Sequence, residues 1–218
     1  ILSAVASGTS RISGFLESED CLNTLKIVGE LGAGVKRSGG LIEIKGCGGR
    51  FKVPSGMLDC GNSGTGMRLL AGLLAGQPFK SILTGDESLS SRPMKRIKEP
   101  LELMGASVGL TGEKGCAPVT LQGGSLKGIR YELPMASAQV KSCVLLAGLF
   151  ARGDTVVVEP KQTRDHTERM MADAGVGINV DGLTVRLSEG GSGKVQGRDW
   201  TVPGDFSSAA YWLAAAAA

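Results

Sequence analysis

The chain has 218 residues, 42% of them hydrophobic, enough apolar material for one large or two small domains with a buried core. A net charge of +3, with basic residues scattered along the chain, argues against a large polyanionic partner such as nucleic acid or a lipid surface. The longest apolar run, Ala209 to Ala218, falls short of the roughly 18 residues that a membrane span requires, and the opening residues do not read as a charged leader.

Five cysteines, an odd number with no pair at a two-residue gap, point to reduced thiols in a cytoplasmic setting and away from a metal knuckle or redox pair. Aromatic residues make up 4% against 34 glycines, so the core must be built from Leu, Val, Ala and Met with close backbone approaches.

In chain order, Ile1-Leu2-Ser3-Ala4-Val5-Ala6 matches Leu69 to Leu74 and predicts that the sequence opens inside a buried helix. An amphipathic stretch closes at Leu31-Gly32-Ala33, and a hairpin is predicted from Val35 to Ile44. Thr65 to Ala75 is small and apolar on nearly every face, which predicts a helix surrounded by protein. The short strand Ser81 to Thr84 follows, then an amphipathic helix closing at Met104-Gly105-Ala106 and a hairpin from Val108 to Leu121.

The pattern returns with Ala138 to Gly148 as a buried helix, Thr155 to Val158 as a strand and a surface helix closing at Ala174-Gly175-Val176. The next hairpin, Ile178 to Leu187, is expected to turn on Asp181-Gly182 in a type I′ conformation. Ser207 to Tyr211 begins a third helix of the buried kind.

The closing glycines recur at about 70 residues, the signature of internal repetition. The expected fold class is α/β (α+β): one lobe of three units, each reading strand, buried helix, strand, surface helix, strand, strand. The units run approximately over residues 1–60, 61–133 and 134–203, with 204–218 the start of the next helix. Arrangement around a shared axis would set the buried helices parallel, their N-termini emerging at one end.

The loops entering those helices are Asp59 to Thr65, Pro134 to Gln139 and Pro203 to Ser208, all small and polar. Ser, Asn and Asp at a helix start act as caps, or their helix ends hold an anion. Helix ends alone do not suffice, since each contributes about 0.3–1 kcal/mol against several for desolvating a charge. Fixed cations must help, and Arg92 and Arg164 stand at comparable places before amphipathic helices, either as solvated side chains or as two-pronged donors to phosphate or carboxylate. Pro93 is expected in the first helical turn, forcing Arg92 into an extended conformation. Asp165 and Glu168 have the spacing of a capping box around His166, the single histidine, which favours a structural role for it. Nothing in the spacing of Lys141 and Lys194 distinguishes them from solvated lysines.

Gly61-Asn62-Ser63-Gly64-Thr65-Gly66-Met67-Arg68, Ser91-Arg92-Pro93-Met94, Ala136-Ser137-Ala138-Gln139-Val140-Lys141-Ser142, Arg164-Asp165-His166-Thr167-Glu168-Arg169 and Pro203-Gly204-Asp205-Phe206-Ser207-Ser208-Ala209-Ala210 closely resemble the 5-enolpyruvylshikimate-3-phosphate synthase family. The likeness runs in family order across essentially all of the chain. It implies one lobe of a two-lobed cytoplasmic transferase of the shikimate pathway for aromatic amino acids. That enzyme, the target of glyphosate, moves the enolpyruvyl group of phosphoenolpyruvate to the 5-hydroxyl of shikimate 3-phosphate through a tetrahedral intermediate, releasing phosphate without metal or cofactor.

By the resemblance, Ser137, Ala138, Gln139, Arg164 and Thr65 would contact shikimate 3-phosphate. Gly64, Arg92 and Gln139 would hold phosphoenolpyruvate. The family's Lys-Ser…Arg segment would lie before Ile1, and the proton-transferring carboxylate and lysine would belong to the other lobe, so no catalytic residue is expected among these 218. The alternatives are a lobe resembling the UDP-N-acetylglucosamine enolpyruvyl transferase, which would use a loop cysteine such as Cys116, and a non-catalytic anion-binding module.

Overall fold

The computed structural model describes residues 1–217, apart from the side chains of residues 207 and 208. α1 (Leu2–Val5) and β1 (Thr9–Ser13) lead to α2 (Glu19–Glu30), β2 (Gly34–Ser38), β3 (Leu41–Lys45) and the short β4 (Leu58–Asp59). Next come α3 (Gly64–Ala75), β5 (Lys80–Thr84), the single-turn α4 (Glu87–Ser90), α5 (Lys95–Leu103), β6 (Ser107–Leu110) and β7 (Val119–Gln122). The short β8 (Leu126–Lys127) and β9 (Arg130–Glu132) precede α6 (Ala138–Gly148), β10 (Ala151–Arg152), β11 (Thr155–Val158) and α7 (His166–Asp173). The chain continues through β12 (Ile178–Asp181), β13 (Thr184–Leu187) and β14 (Asp199–Thr201) to α8 (Phe206–Ala217).

Three four-stranded sheets share one plan: β2-β3-β1-β14, β6-β7-β5-β4 and β12-β13-β11-β9. In each, a hairpin pairs antiparallel with a central strand, and a short edge strand pairs parallel with that strand on its other side. The parallel pairs β4–β5 and β9–β11 are spanned by the buried helices α3 and α6, as parallel strands require a crossover. The first sheet instead receives its edge strand from the far end of the chain, with Arg11 opposite Asp199 and Ser13 opposite Thr201.

The surface helices α2, α5 and α7 end alike. Gly32 (φ 104°), Gly105 (φ 107°) and Gly175 (φ 86°) adopt the left-handed conformation that stops a helix cheaply only without a Cβ. The next amide then reaches back to satisfy a carbonyl of the last turn: Ala33 to Val28, Ala106 to Leu101 and Val176 to Met171, each at 3.0 Å. The third hairpin departs from expectation. Asp181 pairs with Thr184, so Gly182 and Leu183 form the loop, and only Gly182 (φ 56°) is left-handed, the φ pattern of a II′ turn because a leucine resists positive φ. The I′ signature belongs to the first hairpin, where Gly39 (φ 56°) and Gly40 (φ 79°) are both left-handed.

α3 and α6 form the centre of the core, with Val140 to Gly148 all buried. They touch along their backbones: a Cβ added to Gly72 would lie 2.1 Å from the Cys143 carbonyl oxygen. α8, expected to be the third buried helix, is exposed along its described residues, with Tyr211 and Trp212 about four-fifths in solvent because none of the described residues covers them. The expected cap residues Ser207 and Ser208 have side chains outside the described set.

Gly72→Ala forces α3 and α6 apart against backbone and should destabilise the protein by about 1–3 kcal/mol or more, the range for overpacked cores. Urea unfolding checks this, and an unchanged midpoint would show that the close approach is dispensable.

Candidate functional site

Two helix ends meet at this centre. Ser63 caps α3 by accepting from the Gly66 amide (3.0 Å), and Ser137 caps α6 by accepting from the Val140 amide (3.4 Å). The capping role therefore holds for both serines. Because α3 and α6 are in contact, their first turns lie side by side, and Gln139 Nε2 donates to Thr65 Oγ1 (2.7 Å). Gln139 Oε1 accepts from Arg68 (2.8 Å), whose guanidinium also donates to the carbonyls of Gly64 (3.2 Å) and Pro93 (3.1 Å).

Arg92, half-buried, approaches the same glycine. Its guanidinium donates to Asn62 Oδ1 (2.6 Å), to the Asn62 carbonyl (3.4 Å) and to Ser88 Oγ (3.3 Å). Asn62 in turn donates to Asp86 Oδ2 (2.7 Å), while Asp86 Oδ1 caps α4 through the Leu89 amide (2.7 Å). A Cβ on Gly64 would stand 3.0 Å from an Arg68 guanidinium nitrogen and 3.3 Å from one of Arg92, so the two cations converge on this glycine. Burial, and then the charges of Arg96 and Arg92, hold the Arg68 guanidinium below its usual pKa.

A cavity of about 180 Å³ opens between the starts of α3, α6 and α7, lined by Thr65, Ala138, Gln139, Arg164 and His166 among others. A larger one, about 720 Å³, runs along the outside of α5 and shares none of these residues. Thus Gly64 and Arg92 gather around Arg68, while Thr65, Ala138, Gln139 and Arg164 border the cavity, with Ser137 at the same helix end. Among the described residues, Arg68, Arg92 and Arg164 form no ion pair with a carboxylate.

Three expectations are corrected. Pro93 lies outside the first helical turn: Met94 is the N-cap of α5, and Pro93 instead bridges to Cys116 in an extended pairing. The capping box around His166 does not form, because Asp165 accepts from Arg169 (2.8 Å) and Glu168 turns inward. Lys141 is not solvated. It is 1% exposed, with its ammonium between Glu159 (2.8 Å) and Glu168 (2.5 Å). A lysine in the second turn of a helix apolar on nearly every face carried that signal, since burial demands a carboxylate partner. Lys194 is exposed, as expected. Arg68 was legible only as part of its string.

The fold and this pocket place the chain in a class: α/β proteins that gather the ends of buried helices and arginines without carboxylate partners at one place. More particularly, the chain belongs to the EPSP synthase (3-phosphoshikimate 1-carboxyvinyltransferase) family, whose sequence model matches residues 1–218. It is 53% identical to the 3-phosphoshikimate 1-carboxyvinyltransferase of Akkermansia muciniphila, over 100% of this chain and 51% of that protein. It is 48% identical to that of Geobacillus kaustophilus, again over 100% of this chain and 51% of the relative. The solved EPSP synthase of Acinetobacter baumannii superposes with a TM-score of 0.91 at 50% identity, covering 97% of this chain and 48% of that one. The chain therefore spans about half the length of the curated relatives it matches.

Hydrogen bonds from Asn62 and from the Leu89 amide hold the Asp86 carboxyl below the usual carboxylate range. A depressed carboxylate stabilises the fold above its unfolded value and loses that contribution as pH falls through the folded one. The Asp86 carboxyl, followed by NMR, should titrate below an ordinary exposed aspartate, with the Arg92 signals moving in step as Asn62 is released. A midpoint no lower than that of an exposed aspartate would show that Asn62 is not fixed this way.

Proposed function

We propose that this chain is the shikimate-3-phosphate-binding lobe of a two-lobed enolpyruvyl transferase, built of three βαβαββ units about a pseudo-threefold axis. The units run approximately over residues 1–60, 61–133 and 134–203, and residues 204–218 start the helix that continues from them. Three sheets on one plan and three surface helices with the same glycine-closed end support the repetition. The observation that carries the function is the convergence of Arg68 and Arg92 on Gly64, beside a cavity lined by Arg164, with no carboxylate partner for any of the three among the described residues.

In this reading Ser137, Ala138, Gln139, Arg164 and Thr65 hold shikimate 3-phosphate at the α6 end and the cavity. Gly64, Arg92 and Gln139 hold phosphoenolpyruvate at the α3 end. Gln139 belongs to both groups because its amide already spans from Arg68 to Thr65. The oxygen of the shikimate 5-hydroxyl gives up its proton to a base and bonds to the substituted enol carbon as the methylene carbon gains a proton from an acid. The tetrahedral intermediate then breaks its carbon–oxygen bond to phosphate and returns that proton. Arginines aimed at the phosphate stabilise the charge that builds on it as it departs. The carboxylate and lysine for the proton steps come from the other lobe, the partner this chain requires. The five free cysteines fit a reducing, cytoplasmic setting.

The UDP-sugar reading fits less well. Cys116 is buried and its thiol donates to the Ser91 carbonyl (3.3 Å), where it ties the Arg92 turn and is not presented on an open loop. Combining the chain with its complementary half and assaying phosphate release from the two substrates tests the reading. Release with shikimate 3-phosphate and none with a UDP-amino sugar is expected; binding without release would support a plain anion module.

In that reconstituted enzyme Arg92→Ala should raise the phosphoenolpyruvate requirement by the worth of a charged hydrogen bond, about 1.5–3 kcal/mol or roughly 10- to 150-fold. Gly64→Ala should crowd phosphoenolpyruvate and glyphosate while sparing shikimate 3-phosphate. Equal losses for both substrates would contradict the placement.

A further inference from the structure

Lys141 carries a charge in the second turn of α6, between Val140 and the pair Ser142 and Cys143, where every neighbour along the helix is buried. Its two partners, Glu159 and Glu168, are 5% and 4% exposed. Two carboxylates against one ammonium leave the cluster short of positive charge, and Glu168 Oε2 is buried without a hydrogen-bond partner. As a stabilising device this is poor, because a buried ion pair roughly cancels its own desolvation cost and apolar side chains of like volume hold helices together as well. What it adds is alignment. An ammonium in a dry interior tolerates few positions relative to its carboxylates, whereas packed methylenes slide.

The three residues come from three segments that border the candidate site. Lys141 is one turn behind Ser137 to Gln139 on α6, Glu159 follows β11, and Glu168 lies in the first turn of α7. Between the two glutamates runs the segment that carries Arg164. It is fastened again by the Thr163 hydroxyl, which donates to Glu159 Oε1, and by the hydroxyls of Ser142 and Thr167, 2.7 Å apart. Arg164 itself is exposed and has no hydrogen bond or ion pair among the described residues, so its place is set by its backbone.

We propose that Lys141 is a positioning residue. Clamped by Glu159 and Glu168, it sets the Arg164 segment over the first turn of α6, so that Arg164 and Ser137 to Gln139 grip one phosphorylated ligand. The proposal rests on the reading that these residues bind shikimate 3-phosphate. Without the ammonium, two buried carboxylates face each other and repel, and the start of α7 withdraws with Arg164. The Gly64–Arg92 side, held through Asn62 and Asp86, is untouched.

The test uses steady-state kinetics of the chain joined to its complementary half, with thermal unfolding to confirm that each variant is folded. Lys141→Met should raise KM for shikimate 3-phosphate about tenfold, with KM for phosphoenolpyruvate within about twofold and Lys141→Arg recovering most of the loss. Thr163→Val, which removes one fastening and no buried charge, should show the same selectivity at about threefold, and it carries the test if Lys141→Met does not fold. In an Arg164→Ala background both substitutions should lose their effect on KM, because they act through that side chain. Equal rises for both substrates, or an effect undiminished without Arg164, overturns the proposal. Arg164→Ala alone leaving KM for shikimate 3-phosphate unchanged would instead overturn the underlying site reading, a result obtained without any Lys141 variant.

Discussion

The contact of α3 with α6 at Gly72 is the constraint from which the site follows. Helices packed through ordinary side chains stand 8–10 Å apart. Here a glycine lets one backbone rest on the carbonyl of Cys143. Only at that spacing do the first turns of both helices come within reach of single side chains, so that Gln139 on one accepts from Arg68 and donates to Thr65 on the other. The small, apolar composition of the two helices is the means to this end, and their burial is its by-product.

Charge is handled in two opposite ways within one short stretch of structure. Arg68 and Arg92 are oriented by carbonyls, two side-chain amides and a hydroxyl, acceptors that fix a guanidinium without cancelling it. The nearby carboxylate, Asp86, is kept behind Asn62 and spends its other oxygen on a helix cap. The positive field at Gly64 is therefore preserved, which raises what each arginine can do for an anion in a partly dry site. Lys141 receives the reverse treatment, its charge answered twice over by Glu159 and Glu168. Two arginines keep their charge uncancelled, and the lysine is spent on the frame around them.

Much of this was legible in the sequence where local chemistry decides. The buried helix from Ala138 to Gly148 follows from its all-round apolar faces, and the ends at Gly32, Gly105 and Gly175 follow from what a left-handed cap demands. The failures lie where partners distant in the chain decide. Glu168 has the spacing of a capping residue yet turns to Lys141, and Pro93 is drawn into a bridge with Cys116 in place of opening α5. The third hairpin shifts by one residue because its turn is set by strand pairing, with Leu183 forced into the loop. Arg92 and Arg164 were readable as candidates, but their lack of carboxylate partners among the described residues was not, since that depends on every element that might have supplied one.

The strand β14 ties residues 199–201 to residues 11–13. Closing that pairing brings together parts of the chain separated by almost its whole length, an entropic cost that must be met before the contact stabilises anything. Of the three sheets, the one whose hairpin and central strand come earliest in this sequence is thus the last to be finished, and one edge of β1 stays unpaired until β14 arrives. An open strand edge invites misassociation, and a charged residue such as Arg11 on β1 is of the kind that discourages foreign pairing until Asp199 on β14 arrives opposite it.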